Sequence, residues 1–310
     1  MNLLYISSSP VKSWLKAVHR FLPDADLFVW GQDDIKAGDV DYILVWNPPH
    51  GLLNTFPNAK AIFNLGAGVD ALLEDQNLPR HIPIVRLVDP QLSAGMTEHV
   101  MYWVLHFQRH MHLYGRQKAQ GKWLQHTPTN TQKRAVGILG LGELGQNAAH
   151  ALMMMGFEDI AGWSRTRKEL PGIESFAGDD ELDDFLARTE ILVCLLPNTT
   201  ATQGLLNAKT LAVLPKGAFV INAGRGDLIQ DDDLIEALTS GAIEAAALDV
   251  FRVEPLPQDH VFWTMDNVFI TPHVASLTYP SSATKLIADG IDAIENGELP
   301  DHVVDLDKGY

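Results

Sequence analysis

Three glycines near the middle of the chain have a spacing suited to phosphate chemistry. In Arg134-Ala-Val-Gly-Ile-Leu-Gly-Leu-Gly-Glu-Leu-Gly-Gln-Asn-Ala-Ala149, Gly140, Gly142 and Gly145 form a G-x-G-x-x-G run. Ala135 to Leu139 are short and apolar enough for a strand buried on both faces, and Gln146 to Met155 read as a helix. Strand, glycine turn and helix in that order are the context in which such a run binds a dinucleotide. Gly140 makes the tight turn, Gly142 lets backbone approach a pyrophosphate, and Gly145 lets the helix lie close on the strand. Glu143 and Leu144 belong to the same turn, whose N–H groups and helix dipole attract phosphate charge. A glycine-rich turn in an ordinary α/β domain would share the spacing, so the flanking elements carry the reading.

Other residues could do chemistry but have plainer readings. Gly66-Ala-Gly-Val-Asp70 follows the strand candidate Ala61–Leu65, and its amides could hold a carboxylate without a basic side chain. An ordinary strand–helix turn is the competing reading. Trp46, beside Asn47-Pro-Pro49, either walls that cleft or sits in a core. His106 and His110 are four apart, a spacing that can hold a metal, but the helix offers no third ligand. A surface or subunit-contact face is expected there, and no metal. Cys194 is the only cysteine and lies in the apolar run Ile191–Leu196, so it reads as core, with neither a disulfide nor a cysteine-based zinc site.

The elements that must position these residues alternate along the chain. Leu3–Ser7, Leu27–Trp30, Tyr42–Trp46, Ala61–Leu65 and Ile84–Val88 are strand candidates, with a helix at Ser13–Phe21. A long helix is expected over Ser93–Leu113, followed by an extended connector over Gly115–Asn130. Beyond the glycine turn, strands are expected at Phe157–Trp163, Ile191–Leu196, Ala218–Asn222, Ala245–Val250 and Val268–Thr271. Helices are expected at Leu182–Ala187, Asp231–Ser240 and Ser281–Asn296, with a helical turn at Leu205–Leu211 and a tail returning to the first domain. This alternation implies mostly parallel sheets covered on both faces, an α/β fold. At 310 residues, 46% hydrophobic and 20% charged, the chain can bury two cores. A net charge of −16 argues against nucleic-acid and anionic-membrane partners. Met1–Ile6 reads as a strand rather than a targeting segment, and no apolar stretch is long enough to span a bilayer, so the expected location is cytoplasmic.

Three later segments make the pattern more specific: Ile221-Asn-Ala-Gly-Arg-Gly-Asp227, Leu248-Asp-Val-Phe-Arg-Val-Glu-Pro255 and Ile270-Thr-Pro-His-Val-Ala275. With the glycine run, in this order and at these separations, they resemble the D-isomer-specific 2-hydroxyacid dehydrogenase family over nearly the whole chain. The resemblance implies two Rossmann-like domains with parallel sheets. A dinucleotide-binding domain, 98–278, would be inserted into a flavodoxin-like substrate domain, 1–97 plus 279–310. It implies a catalytic triplet of Arg225, Glu254 and His273. A histidine suits proton transfer to a carbonyl oxygen, a carboxylate partner raises its pKa, and a guanidinium fork can orient a 2-oxo acid. It also implies Ala67 and Gly68 as amides for the substrate carboxylate, Leu196 and Pro197 beside the adenosine, and Asp249 near the nicotinamide carboxamide. A homodimer is the family's usual assembly.

Coenzyme choice rests on the end of the second strand of the glycine domain. An acidic residue there would bond a ribose 2′-OH and select NAD. This strand ends in Trp163-Ser164-Arg165, with Arg167 and Lys168 just beyond, so Ser164 and Arg165 suit a 2′-phosphate. NADP(H) is therefore expected, with NAD(H) as the alternative. Short reductases that use NADPH on glyoxylate and hydroxypyruvate, the type A group, look most similar within the family, with Trp46 closing a small pocket. The expected reaction is reduction of a small-molecule 2-oxo acid (glyoxylate to glycolate, hydroxypyruvate to D-glycerate), with His273 as general acid. The alternatives are a bulkier D-2-hydroxy acid and a dinucleotide-sensing interaction protein.

Overall fold

The protein was analysed as a computed structural model that describes residues 1–306. Its internal contacts separate two units. One comprises Met1–Leu92 with the described residues from Leu277 onward, the other Ser93–Ser276.

In the first unit five apolar segments form parallel strands: β1 (Asn2–Ile6), β2 (Asp26–Val29), β3 (Tyr42–Val45), β4 (Ala61–Asn64) and β5 (Ile84–Arg86). They are ordered β2-β1-β3-β4-β5, the flavodoxin-like order. Alternation along the strands sends Leu3, Tyr5, Leu44 and Phe63 to one core and Leu4, Ile6, Val45 and Ile62 to another. The first core is roofed by α1 (Lys12–Phe21) through Trp14, Ala17 and Val18, and by α9 (Pro280–Glu295) through Ala283, Ile287 and Ile291. The short helix α2 (Asp70–Leu73) follows the Gly66–Gly68 turn. The tail returns to this sheet as expected: the Val304 N–H donates to the Ile84 carbonyl at 2.8 Å, and the Arg86 N–H to that of His302 at 3.2 Å.

The second unit has seven parallel strands: β6 (Val136–Leu139), β7 (Ile160–Ser164), β8 (Glu174–Ala177), β9 (Ile191–Cys194), β10 (Ala218–Asn222), β11 (Ile243–Leu248) and β12 (Val268–Ile270). Their order is β12-β11-β10-β9-β6-β7-β8. The order reverses between β6 and β9, and ligands of such sheets bind outside the strand ends at that crevice. Gly140 and Leu196 follow those two strands. The helices are α3 (Pro90–Gln108), whose first residues belong to the first unit, α4 (Met111–Ala119), α5 (Glu143–Met154), α6 (Leu182–Ala187), α7 (Ala208–Val213) and α8 (Asp231–Ser240). The edge strand β8 is absent from the sequence reading, because Glu174–Ala177 is short, mixed in polarity and only partly buried.

The long helix expected over Ser93–Leu113 is corrected. It starts at Pro90, which suits a first helical turn, and stops at Gln108. His110 turns left-handed (φ 56°), and α4 restarts at Met111, taking up the start of the expected extended connector as far as Ala119. A non-glycine left-handed break has no strong sequence signature. The surface expected around His106 is also revised. Its ring packs on Trp103, Phe107 and Phe269, and its Nε2 is enclosed without a hydrogen-bond partner. The start of β6 is fixed by buried Arg134, which donates to Gln108 Oε1 at 2.8 Å, Thr129 Oγ1 at 2.7 Å and Glu190 Oε2 at 3.2 Å.

The restart at α4 drives His112 inward against Phe107 and Phe219. Among the described residues neither ring nitrogen has a hydrogen-bond partner, and the Glu244 carboxylate is 3.8 Å from Nε2. Burial first, then the positive fields of Arg116, His106, His110 and His126, lower its pKa from 6.5 to about 4. The unfolded chain therefore takes up this proton before the folded one does. The contribution of neutral His112 to stability is complete above pH 6.5 and is lost as pH falls through 4. Urea-denaturation midpoints from pH 7.5 down to 4.5 (about the window of that shift) should fall in the wild type, and His112→Phe should flatten that slope.

Candidate active site

Helix α5 supplies an anion cradle. Gly140 has φ 106°, and a Cβ there would press on the backbone of Leu195 and Leu196, so the loop after β9 lies directly against the glycine turn. At Gly145 a Cβ would overlap the Gly140 carbonyl, which makes glycine the only residue allowing this approach of α5. Nothing lies within 4 Å of a Cβ placed on Gly142. The N–H groups of Gly142, Glu143 and Leu144 have no acceptor among the described residues. Unpaired amides at a dipole's positive end, beside open space, fit a pyrophosphate. Leu196 and Pro197 lie at the same crevice.

At the end of β7 no carboxylate follows the strand. The Ser164 hydroxyl donates to the Thr166 carbonyl at 2.8 Å, and exposed Arg165 comes next. These residues fit a dinucleotide carrying a 2′-phosphate better than one with a free 2′-OH.

The ends of β10, β11 and β12 assemble the triplet. Asn222, the buried last residue of β10, accepts the Gly224 N–H at 3.1 Å and donates to the Arg225 carbonyl at 2.9 Å. That side chain sets the turn presenting Arg225, whose Nη1 donates to the Gly224 carbonyl at 2.7 Å. A Cβ on the next residue, Gly226, would overlap the backbone of Phe251 and Arg252. The β10 loop can therefore lie against the β11 loop, three residues from Glu254. Glu254 Oε1 accepts the Phe251 N–H at 2.9 Å, and its Oε2 lies 2.7 Å from His273 Nδ1.

His273 itself is left-handed (φ 53°) and is held there by Asp249. The Asp249 carbonyl accepts the His273 N–H at 2.8 Å. Its carboxylate accepts the Thr271 hydroxyl at 2.6 Å and the N–H groups of Val274 and Ala275 at 2.9 and 2.8 Å. Asp249 thus anchors the histidine turn. Neither it, Asn222 nor Gly226 is marked as a positioning residue by sequence reasoning, although all three fall inside the quoted motifs.

The electrostatics of the triplet are reciprocal. The hydrogen bond from Glu254 raises the His273 pKa; burial opposes this, the Glu254 charge adds to it, and Arg225 lowers it, leaving a net rise above 6.5. Burial alone would push the Glu254 carboxyl up. Hydrogen bonds from His273 and Phe251, with the charges of His273 and Arg225, outweigh this and hold it below its ordinary value. The pair therefore favours the proton on the imidazole over the carboxylate, with Nδ1 committed to Glu254.

In the first unit the Asn64 amide donates to the carbonyls of Gly66 and Gly68, each at 2.8 Å, which fixes the turn after β4. The N–H groups of Ala67 and Gly68 have no acceptor among the described residues. The Trp46 ring covers Gly66 so closely that a Cβ there would overlap it. Asn64 is again a residue whose role sequence reasoning misses; its place at the strand end was the available signal.

A doubly wound parallel sheet with a glycine cradle at its switch point and a histidine–carboxylate pair at neighbouring strand ends defines a dinucleotide-dependent α/β enzyme class. Residues 101–275 match the family model for the NAD binding domain of D-isomer specific 2-hydroxyacid dehydrogenases. The chain belongs to that family. It is 40% identical to glyoxylate/hydroxypyruvate reductase A of Serratia proteamaculans, with both chains covered completely. A Xanthobacter autotrophicus family member solved with NADPH and MES superposes with a TM-score of 0.96 at 42% identity, over 100% of this chain and 99% of that one. The NADPH-dependent glyoxylate/hydroxypyruvate reductase of Sinorhizobium meliloti, solved with NADP and sulfate, gives 0.94 at 34% identity over the whole of both chains.

Because Glu254 raises the His273 pKa, Glu254→Gln should move the alkaline fall of the reductive kcat/KM to lower pH, read from pH–rate profiles. An unmoved limb would separate the pair from proton supply. Gly226→Ala should fold yet lose about 100-fold in turnover, since the loops carrying Arg225 and Glu254 must part by a sizeable fraction of an ångström. Circular dichroism would check the fold and steady-state rates the loss.

Proposed function

We propose that this protein reduces glyoxylate to glycolate and hydroxypyruvate to D-glycerate with NADPH. The observation that carries the reading is the 2.7 Å contact between His273 Nδ1 and Glu254 Oε2, which raises the His273 pKa within the field of Arg225. NADPH, when bound, supplies a hydride to the carbonyl carbon of the 2-oxo acid. The chain's own residues supply the rest. His273 donates the Nε2 proton to the carbonyl oxygen and is the general acid, while Glu254 holds the imidazolium through Nδ1. Arg225 orients the substrate through its planar fork and polarises the carbonyl.

The Ala67 and Gly68 amides bind the substrate carboxylate in this reading, and Trp46 limits the size of the acid. The amides of Gly142, Glu143 and Leu144, with the close packing allowed by Gly140 and Gly145, hold the pyrophosphate. Ser164 and Arg165 meet the 2′-phosphate, and Leu196 and Pro197 flank the adenosine. Asp249 serves the nicotinamide end through the turn it holds. Residues 98–278 form the coenzyme domain and 1–97 plus 279–310 the substrate domain. The reading includes a cytoplasmic homodimer; the exposed Tyr102, Met111, Trp123 and Leu124 supply an apolar face for a second copy. No helix among the described residues is long and apolar enough to cross a membrane.

Initial rates with NADPH and NADH, each against glyoxylate, hydroxypyruvate, pyruvate and a branched 2-oxo acid, test the proposal. Fast NADPH oxidation with the first two is expected. Preference for the branched acid would move the substrate while keeping the mechanism, and preference for NADH would overturn the 2′-phosphate assignment. Tight coenzyme binding without turnover would favour a sensing role.

A further inference from the structure

The loop after β7 carries Arg165, Arg167 and Lys168, but the structure does not use these cations alike. Arg167 is bound on both sides: Nη1 donates to the Ser175 carbonyl on β8, and Nη2 pairs with Glu181 Oε1. The second Glu181 oxygen, Oε2, accepts the Ala177 N–H at 2.7 Å. The Lys168 N–H donates to Ser175 Oγ at 2.9 Å. At the other end of the loop, the Ser164 carbonyl accepts the Gly178 N–H at 3.3 Å, and Trp163 Nε1 donates to the Gly178 carbonyl at 2.9 Å. The 164–168 segment is thus stitched to both ends of β8, and Glu181 lies at the junction where β8 gives way to α6.

A guanidinium whose two Nη atoms face a carbonyl and a carboxylate has its charge balanced and its fork turned toward protein. We infer that Arg167 and Glu181 form a clamp whose task is to hold the 164–168 loop in the shape that presents Ser164 and Arg165 to the coenzyme's 2′-phosphate. Arg167 is then a positioning residue rather than a phosphate ligand, and Glu181 determines coenzyme specificity despite having the phosphate's sign of charge. The inference rests on the NADPH reading above.

This arrangement makes a prediction opposite in sign to simple electrostatics. Removing a carboxylate near a phosphate site, and freeing an arginine beside it, should tighten binding if charge alone mattered. If the clamp sets the loop, the same change should weaken binding of the 2′-phosphate and leave the rest of the nucleotide unaffected. An exposed ion pair contributes up to about 1 kcal/mol, so the expected loss is about two- to fivefold in Kd.

Calorimetry on the full-length protein with adenosine 2′,5′-bisphosphate and with 5′-AMP reads this directly, without turnover. Glu181→Gln should weaken the bisphosphate by that factor and leave 5′-AMP unchanged. Glu181→Asp keeps the charge but is too short to reach both Arg167 and Ala177, and should give the same loss if Glu181→Gln proves unstable in a melting control. The double variant Arg167→Ala/Glu181→Gln should bind no worse than Arg167→Ala, as coupled partners require. Unchanged or tighter bisphosphate binding in Glu181→Gln, or additive losses in the double variant, would overturn the clamp. Equal affinity of the wild type for the two nucleotides would instead defeat the NADPH reading, and the clamp with it.

Discussion

A carboxylate withdrawn from water needs hydrogen bonds in place of its hydration, and Asp249, 1% exposed, takes its replacements from the segment that carries His273. Its oxygens collect a hydroxyl and two backbone N–H groups from Thr271, Val274 and Ala275. Its carbonyl takes the His273 N–H, and its own N–H donates to the Asn222 carbonyl at 2.9 Å. One buried residue therefore links the ends of β10, β11 and β12. A left-handed histidine costs about 1–3 kcal/mol, and these bonds are what hold it there. The imidazole can then meet Glu254, whose own turn is closed by the Phe251 N–H. If Asp249 were unpaired, neither the turn nor the orientation of the ring would be determined.

The anion-binding logic of the chain follows from its overall charge. At −16 the protein's field repels anionic ligands, so attraction has to be local. Two turns meet this need with backbone. Around Gly142–Leu144 and around Ala67–Gly68, N–H groups have no acceptor among the described residues, and glycines permit the geometry. Backbone amides bring partial charge without a flexible side chain to order, and they are not screened by a neighbouring carboxylate as a surface lysine would be. In the loop after β7, where Arg165, Arg167 and Lys168 lie close in sequence, the Glu181 carboxylate engages Arg167.

Much of this was legible in the sequence because strand periodicity and motif order are local signals. The glycine run, the three later motifs and the βα alternation marked both sheets and placed Arg225, Glu254 and His273 at strand ends. What escaped was carried by long-range contact. The break at His110 depends on a left-handed histidine, which composition does not announce. Strand β8 has too little apolar character to stand out and exists as an edge paired to β7. Asn222 and Asn64 fix the backbone of their own turns, and Gly226 lies against the backbone of Phe251 and Arg252, so their roles emerge only once the loops are in place. Arg167 had no role in the sequence beyond lying just past Ser164 and Arg165, and its partner Glu181 is 14 residues on.

The charge state of the triplet also bears on the reaction it can serve. When His273 is protonated and Glu254 ionised, the two side chains and the Arg225 guanidinium sum to plus one. A 2-oxo acid brings a single negative charge, which is complementary to that state. Without the His273 proton the three side chains sum to zero, so that attraction is lower. Arg225 and burial lower the His273 pKa while the hydrogen bond and charge of Glu254 raise it, and the net effect is a rise. Opposing influences thus meet on one imidazole, and the carboxylate contact decides their sign.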